Sequence, residues 1–599
     1  NISVDPVFML YSPPAGQDHD FSISGQSLAI GAGTSSFEGA SAPTTDILGN
    51  ARPNPAGSNP DMGAYENSLA KSPYPKQVQN LTAIGGSGQI TLNWDALADA
   101  DSVYKVYKHT STFSVAATYY VGATSAKTSP HETTYTITGL DNATRYYLRV
   151  SGVNKQGYEG TASATVDITP KFSGPVWWVA TDGNDTNEGS KTSPFNSIDH
   201  AMHEAVEGDT ITIKPGTYTG SKNRDLDSEG KNLVIMSQYP TTWDSVIIDA
   251  EKQNRHFDFN NKSGTISVSK TKLIGLTLKN GEVGGNTNSG GPDGGSVKLQ
   301  DGTAVRFEKI YFLNNTIINN SSTASAGAVW MGTPGSIFYN CRFELNRSLL
   351  SGSGDAQATG AIGIDDWGAY QGDTYKGAYT LIDGCEFISN LGRQEGGAIN
   401  ARHNTVIQNS LFYKNRADKD ANNASGGAIS TMARVEGDGG SNYDTYLHVI
   451  NCTFVENSAE SQGGAIQFNG SNSPIIFNSI FMNNRKNDPD GSGQGELNDF
   501  MGGTQNNKFK VNNVRVDEST VASTDRVEWG NNIYFDPPAF TDTTKENFTL
   551  TSASTLIGAG ATSFEGVSSP TKDIIGNTRP NPSGSKPDLG AYENSLAIS

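Results

Sequence analysis

Cys341-Arg-Phe343-Glu-Leu-Asn346 returns as Cys385-Glu-Phe387-Ile-Ser-Asn390, then as Ser410-Leu-Phe412-Tyr-Lys-Asn415, Cys452-Thr-Phe454-Val-Glu-Asn457 and Ser479-Ile-Phe481-Met-Asn-Asn484. A looser copy, Ile310-Tyr-Phe312-Leu-Asn-Asn315, precedes them. Successive phenylalanines are 31, 44, 25, 42 and 27 residues apart. The short intervals suit one turn of a solenoid, and the long ones a turn carrying an inserted loop. A second pattern interleaves: Gly396-Gly-Ala-Ile399, Gly426-Gly-Ala-Ile429 and Gly463-Gly-Ala-Ile466, with Gly327-Ala-Val329 and Gly360-Ala-Ile362 as weaker copies. Side chains alternate across a strand, so the small residue, the Phe and the Ile share an inner face and stack from rung to rung. The Asn is expected at a tight turn with left-handed backbone angles, its amide laddered to the next Asn. Cys341, Cys385 and Cys452 sit at an inner position that Ser fills elsewhere, so buried thiols are expected, not nucleophiles.

The two ends of the chain repeat each other. Residues 27–70 and 554–597 align without gaps, with 32 of 44 positions identical at an offset of 527. The chain therefore reads as one unit of 527 residues plus the tail of another, with 1–70 the closing segment of a preceding solenoid. The closing element, from about 545 to 599, is expected to cover the exposed edge of the last rung. Asp573, Arg579, Asp588 and Glu593 are candidates for an ion-pair lattice, as are Asp46, Arg52, Asp61 and Glu66. Read alone, residues 1–70 leave Ile30, Phe37, Ile47, Leu48 and Tyr65 without a core. Units joined head to tail make an open fibre.

Beyond a Pro-containing linker at 71–80, short alternating runs such as Gln89-Ile-Thr-Leu-Asn-Trp94 and Tyr146-Tyr-Leu-Arg-Val150 predict a β-sandwich. Trp94 and the stretch Leu140-Asp-Asn-Ala-Thr-Arg-Tyr146 resemble a fibronectin type III domain. That resemblance covers residues 78–170, within a domain assigned to 71–171. It implies a tyrosine corner, in which the Tyr146 hydroxyl bonds back to the chain, and a spacer or binding role. From Trp177 the text changes: Trp177-Trp-Val-Ala-Thr-Asp182-Gly-Asn184-Asp185, an amphipathic helix over His200 to Val206, then Gly208-Asp-Thr-Ile211. This is similar to the opening of secreted bacterial parallel β-helix proteins, some pectate lyases among them. The resemblance implies that the helix plugs the open end of the coil and that Gly208-Asp-Thr-Ile211 starts the first rung. The closing Asp573-to-Glu593 stretch resembles the terminal element of bacterial surface β-helices. The fold class is thus all-β: a right-handed parallel β-helix over 172–599 and a fibronectin-type-III-like β-sandwich.

Composition agrees with many short strands joined by turns: 67 of 599 residues are Gly and 18% are charged. A net charge of −19 argues against nucleic-acid and anionic-membrane partners, which need clustered cations. No run of 18 apolar residues offers a membrane span. Three cysteines are no disulfide framework. The opening Asn1-Ile-Ser-Val, with neither initiator Met nor signal peptide, reads as an interior segment.

Catalytic signals are thin. The sequence lacks the paired aspartates, Gly-His-Gly and Arg-Ile-Lys by which polygalacturonases resemble one another. Raw material for a lyase is limited to Asp365-Asp366-Trp367, and to Asp418-Lys419-Asp420 beside Lys414 and Arg416. Asp182, Asn184, Asp185 and Asn187 place oxygens at alternate positions, a candidate calcium loop set against a plain Asx-rich turn. Inserted loops at 351–376, 416–425 and 432–447 are places for ligand contacts, with Trp367, Tyr370 and Tyr375 the best candidates. The reading is an extracellular structural or adhesive surface protein, part of a tandem-repeat stalk or filament. Its expected partners are neighbouring copies of the same repeat and a cell-surface or environmental polysaccharide. The alternative is a polysaccharide lyase or hydrolase acting on acidic glycans in the β-helix groove.

Overall fold

The structure, a computed structural model, describes residues 6–10, 18–98, 100, 103–112, 132–260, 267–284, 293–300, 302–319, 325–350, 358–365, 378–393, 395–418, 424–432, 446–469, 473–488, 490–502, 508–521, 526–530 and 532–596. Two compact units divide after Ser173.

In the first unit two antiparallel three-stranded sheets form a sandwich, Thr82–Gly86, Gln89–Asn93 and Thr134–Thr138 facing Val103–His109, Tyr146–Val153 and Val166–Ile168. Trp94, Tyr104, Leu148 and Val150 are buried between them. The Tyr146 hydroxyl accepts a hydrogen bond from the Asp141 amide at 3.1 Å, which is the expected tyrosine corner.

In the second unit, strands stack in parallel register. A rung runs through Val329–Met331, Ile337–Tyr339, Arg342–Glu344 and Arg347–Leu350, and the next repeats it at Ile362–Ile364, Thr380–Asp383, Glu386–Ile388 and Leu391–Gly392. The inner face is as the alternation predicts. Phe312, Phe343, Phe387, Phe412, Phe454 and Phe481 form one stack, with neighbouring ring centres 4.5–4.8 Å apart and rings within 8° of parallel. All six are buried. Ile362, Ile399, Ile429 and Ile466 stack on another wall. The paired glycines before that Ile are steric: a Cβ on Gly397 would lie 2.0 Å from the Gly427 carbonyl.

The asparagine ladder forms, but its backbone differs from expectation. The amide nitrogens of Asn346, Asn390, Asn415 and Asn457 donate to the next Asn Oδ1 and to the preceding rung's Phe carbonyl; for Asn415 these are Asn457 at 3.0 Å and Phe387 at 2.8 Å. Each Oδ1 accepts from the backbone N–H and the amide of the Asn before it. The left-handed angles fall one residue earlier, on Leu345, Ser389, Lys414, Glu456 and Asn483. The ladder Asn must turn inward to meet its neighbours, so the bend is made by the residue that faces out. A second left-handed column, Asn340, Gly384, Asn409, Asn451, Asn478 and Asn513, precedes the Cys/Ser position. Those thiols are buried and free, each within reach of a preceding-rung carbonyl.

The coil opens one strand earlier than expected. Val176–Val179 pairs in parallel with Thr210–Ile213, so the Trp-rich segment is the first strand. The helix spans Ile198–Glu204, starting where the Ser197 hydroxyl accepts from the His200 N–H, and buries Ile198, Ala201 and Met202.

The closing element packs along the flank of the coil, and it reaches the last strand through Tyr534, whose hydroxyl donates to the Ala559 carbonyl at 3.4 Å. Strands 386–388, 411–413 and 453–455 turn Phe inward and present Ile388, Leu411, Tyr413 and Val455 outward, where Phe548, Ile574, Ala591 and Tyr592 cover them. On the rung before these, the same outward positions are the charged Arg342 and Glu344. Arg342–Glu546 at 3.0 Å and Lys510–Glu565 at 2.7 Å tie it to the coil.

Candidate functional site

Within the cap the four charges do not form a lattice. Arg579 pairs with Glu593 at 3.0 Å, both side chains fully buried, and also donates to the carbonyls of Asp588, Gly590 and Ala591. Asp573 and Asp588 instead accept main-chain N–H groups, from Ile575, Asn577 and Glu593 and from Gly558 and Asn594. Residues 20–70 repeat the carboxylate bonds: Arg52 pairs with Glu66 at 2.8 Å, Asp46 caps Leu48, Asn50 and Glu66, and Asp61 caps Gly31 and Asn67.

The two copies differ in what they cover. Ile574 is 6% exposed and Leu589 is fully buried on the flank; their counterparts Ile47 and Met62 are 66% and 42% exposed. Phe37 is exposed as well. Two members of the expected apolar set behave otherwise. Ile30 is buried in a small local cluster with Ile23 and Ala29, and Leu48 is exposed in both copies, as Ile575 shows.

The candidate calcium loop is occupied with its own turn. The Asp185 carboxylate accepts from the N–H groups of Asn196 and Ser197 and from the Ser197 hydroxyl, which anchor the start of the helix, and from Lys222. Asn184 accepts from Thr186 and Asn187 donates to Pro194, while Asp182 is exposed. Among the described residues no three His, Cys, Asp or Glu side chains are placed to hold a metal ion. Trp367, Tyr370 and Tyr375 lie outside the described residues.

Sequence reading missed a charged face on the coil. The strands that turn Phe257, Val297, Val329, Ile362 and Ile399 inward present Asp258, Lys298, Trp330, Gly363 and Asn400 outward, in register on five successive rungs. Lys298 pairs with Asp293 at 2.5 Å and Arg255 with Asp258 at 3.5 Å. Arg402 reaches Glu395 at 3.2 Å and Asp365 at 3.9 Å, and the Asn400 amide donates to Glu395. Burial pushes the carboxyls of Asp258, Asp293 and Glu395 above their usual range. The Trp330 N–H and the Asn400 Oδ1 have no hydrogen-bond partner. Carboxyls whose pKa is raised by burial, beside fixed cations, can exchange a proton more readily than free ones and can bind hydroxyls. The signal was one polar or aromatic residue between two inward apolar ones on each rung, as in Val329-Trp330-Met331.

Comparison with known proteins follows the two units. Residues 75–169 match the Fibronectin type III domain family, and 181–226 match the family described as Protein of unknown function (DUF1565). The chain is a parallel β-helix protein with a fibronectin type III domain. This β-helix protein is 44% identical over 73 residues to the Uncharacterized protein YwoF of Bacillus subtilis (strain 168), and 27% identical over 172 residues to an Amylopullulanase of Thermoanaerobacter thermohydrosulfuricus. The matches span only 16% and 10% of those relatives' lengths. A Fn3-like protein from Clostridium thermocellum is 29% identical, covering 16% of this chain and 90% of that one, with a TM-score of 0.13. Pectate lyase Pel9A is 15% identical, covering 70% of this chain and 96% of that one, with a TM-score of 0.35. Among the described residues no helix is long and apolar enough to cross a membrane.

Proposed function

We propose that the chain is a segment of an extracellular surface protein in which coil, cap and sandwich spacer alternate in tandem, with a structural or adhesive role. One observation carries this. The same cap occurs twice, and the face that seats Ile574 and Leu589 on a coil is bare at Ile47 and Met62. A preceding coil with an Ile388-, Leu411- and Val455-like flank supplies the missing partner. Such a contact does not close on itself, so it builds a fibre. Electron microscopy of native material tests this: rods with an axial repeat of one coil, cap and spacer support it, and compact monodisperse particles contradict it.

A second reading, a lyase or hydrolase of acidic polysaccharides, is favoured by the charged face alone. Its test is incubation with pectate or alginate, with and without calcium. A steady rise in ultraviolet absorbance or in reducing ends, abolished by Glu395→Gln, supports it. No product on either substrate leaves the scaffold reading standing.

A further inference from the structure

The left-handed asparagines that seat the cap continue past its edge. Asn451, Asn478 and Asn513 donate their amides to cap carbonyls, Asp588 at 3.0 Å, Ala561 at 2.7 Å and Ala559 at 2.7 Å. One rung before Asn451, Asn409 belongs to the same column but meets no cap carbonyl. Its Nδ2 goes to Asp383 Oδ1 at 2.9 Å; its Oδ1, on a side chain only 2% exposed, has no hydrogen-bond partner. The next member is Gly384, where a Cβ would come within 2.3 Å of the Asn340 Oδ1. The Asn340 side chain takes up the space that a side chain at this position would need.

A cleft of about 360 Å³ opens at this place, between the coil and cap residues 569–573. Tyr339, Asp383 and Gln408 line it from three successive rungs in register, beside Asn340 and Asn409. Ser569, Thr571 and Lys572 line it from the cap. Asp573, at its back, is saturated by its own turn and holds the cap together.

We propose that this cap–coil junction is a binding site for a neutral carbohydrate, on the order of one or two sugar rings in size. Asn409 lines the cleft with its Oδ1 left without a donor, and a buried polar atom in that state is costly. A sugar hydroxyl donates and accepts at once, which matches a lining of carboxylate, amides and hydroxyls. The Tyr339 ring adds an apolar surface for the C–H face of a pyranose. Asp383 and Asp573 disfavour an anionic ligand, and the only cation in the lining, Lys572, is on an exposed residue.

Ligand-observed NMR on the whole chain tests this, with glucose, galactose, mannose and N-acetylglucosamine as probes and glucuronate as the anionic control. At least one neutral sugar should give a saturable signal. Tyr339→Ala and Asp383→Asn should weaken it about tenfold, the loss of one good contact. Thr571→Trp, which fills the cleft from an exposed cap residue and leaves the coil untouched, should abolish it at an unchanged melting temperature. Lys572→Ala should bind as the parent does. The proposal is overturned if no neutral probe saturates, if glucuronate is preferred, or if Thr571→Trp binds like the parent.

Discussion

Ile574 and Ile47 occupy the same place in two copies of one element, yet Ile574 is 6% exposed and Ile47 is 66% exposed. Their surroundings inside the cap are alike, down to the buried Arg579–Glu593 pair and its Arg52–Glu66 counterpart. What differs is the coil flank beneath. The cap thus carries its own ionic core, and its second copy takes its apolar floor from the coil.

The asparagine ladder is expected to be a principal source of coil stability. Asn415→Ala removes two donated bonds and leaves the Asn390 amide and backbone N–H without their acceptor. Each orphaned buried group costs about 1–3 kcal/mol, so a loss of about 3 kcal/mol or more is expected. Urea unfolding of the parent and variant measures it, and a loss below about 1 kcal/mol would mean that the ladder is incidental.

The three thiols should be inert in the native state. Burial raises the Cys452 thiol to about 12 and the Cys385 thiol well above its ordinary value, so little thiolate exists at neutral pH. A disulfide exchange reagent should label none of them in buffer and all three in denaturant. Rapid labelling of Cys452 in buffer would show an opening that the packed coil does not allow.

Stability should fall on mild acidification. His256 is fully buried, hydrogen-bonded to Ser296 and to the Ile248 carbonyl, and burial pushes its pKa down to about 4. The folded value lies below the ordinary 6.5, so the unfolded chain takes the proton first. The stability tied to the neutral ring is complete above about pH 6.5 and is lost as pH drops toward 4, by up to about 3 kcal/mol. His256→Gln should flatten that part of the pH profile measured by chemical unfolding. An unchanged slope would place the acid sensitivity elsewhere.

Much of this architecture was legible in the text. The Phe, Ile and Cys/Ser columns followed from strand alternation alone, because a one-residue slip would have turned every Phe to solvent. The closing element was visible as a repeat, but its place was not: the edge argument put it on the last rung. The signal for the flank lay in outward Ile388, Leu411 and Val455 where the preceding rung carries Arg342 and Glu344. The left-handed position also escaped, since sequence marks the Asn that ladders and not its variable neighbour. The charged face was hidden for a different reason. Asp258, Asp293, Asp365 and Glu395 lie far apart in sequence, and only the register of the coil brings them together.

The claim that residues 1–70 belong on a coil is tested most directly by the oxidation of Met62. Its counterpart Leu589 is fully buried on the flank, whereas Met62 is 42% exposed. A chain with residues 71–531 fused ahead of Asn1 gives the first cap a coil to follow. Peroxide treatment with peptide mass spectrometry then reads Met62 in that chain and in the 599-residue chain, with exposed Met9 as reference. The account predicts that Met62 oxidises readily in the single chain and is protected about tenfold or more in the fused one. Equal rates in the two chains would contradict it.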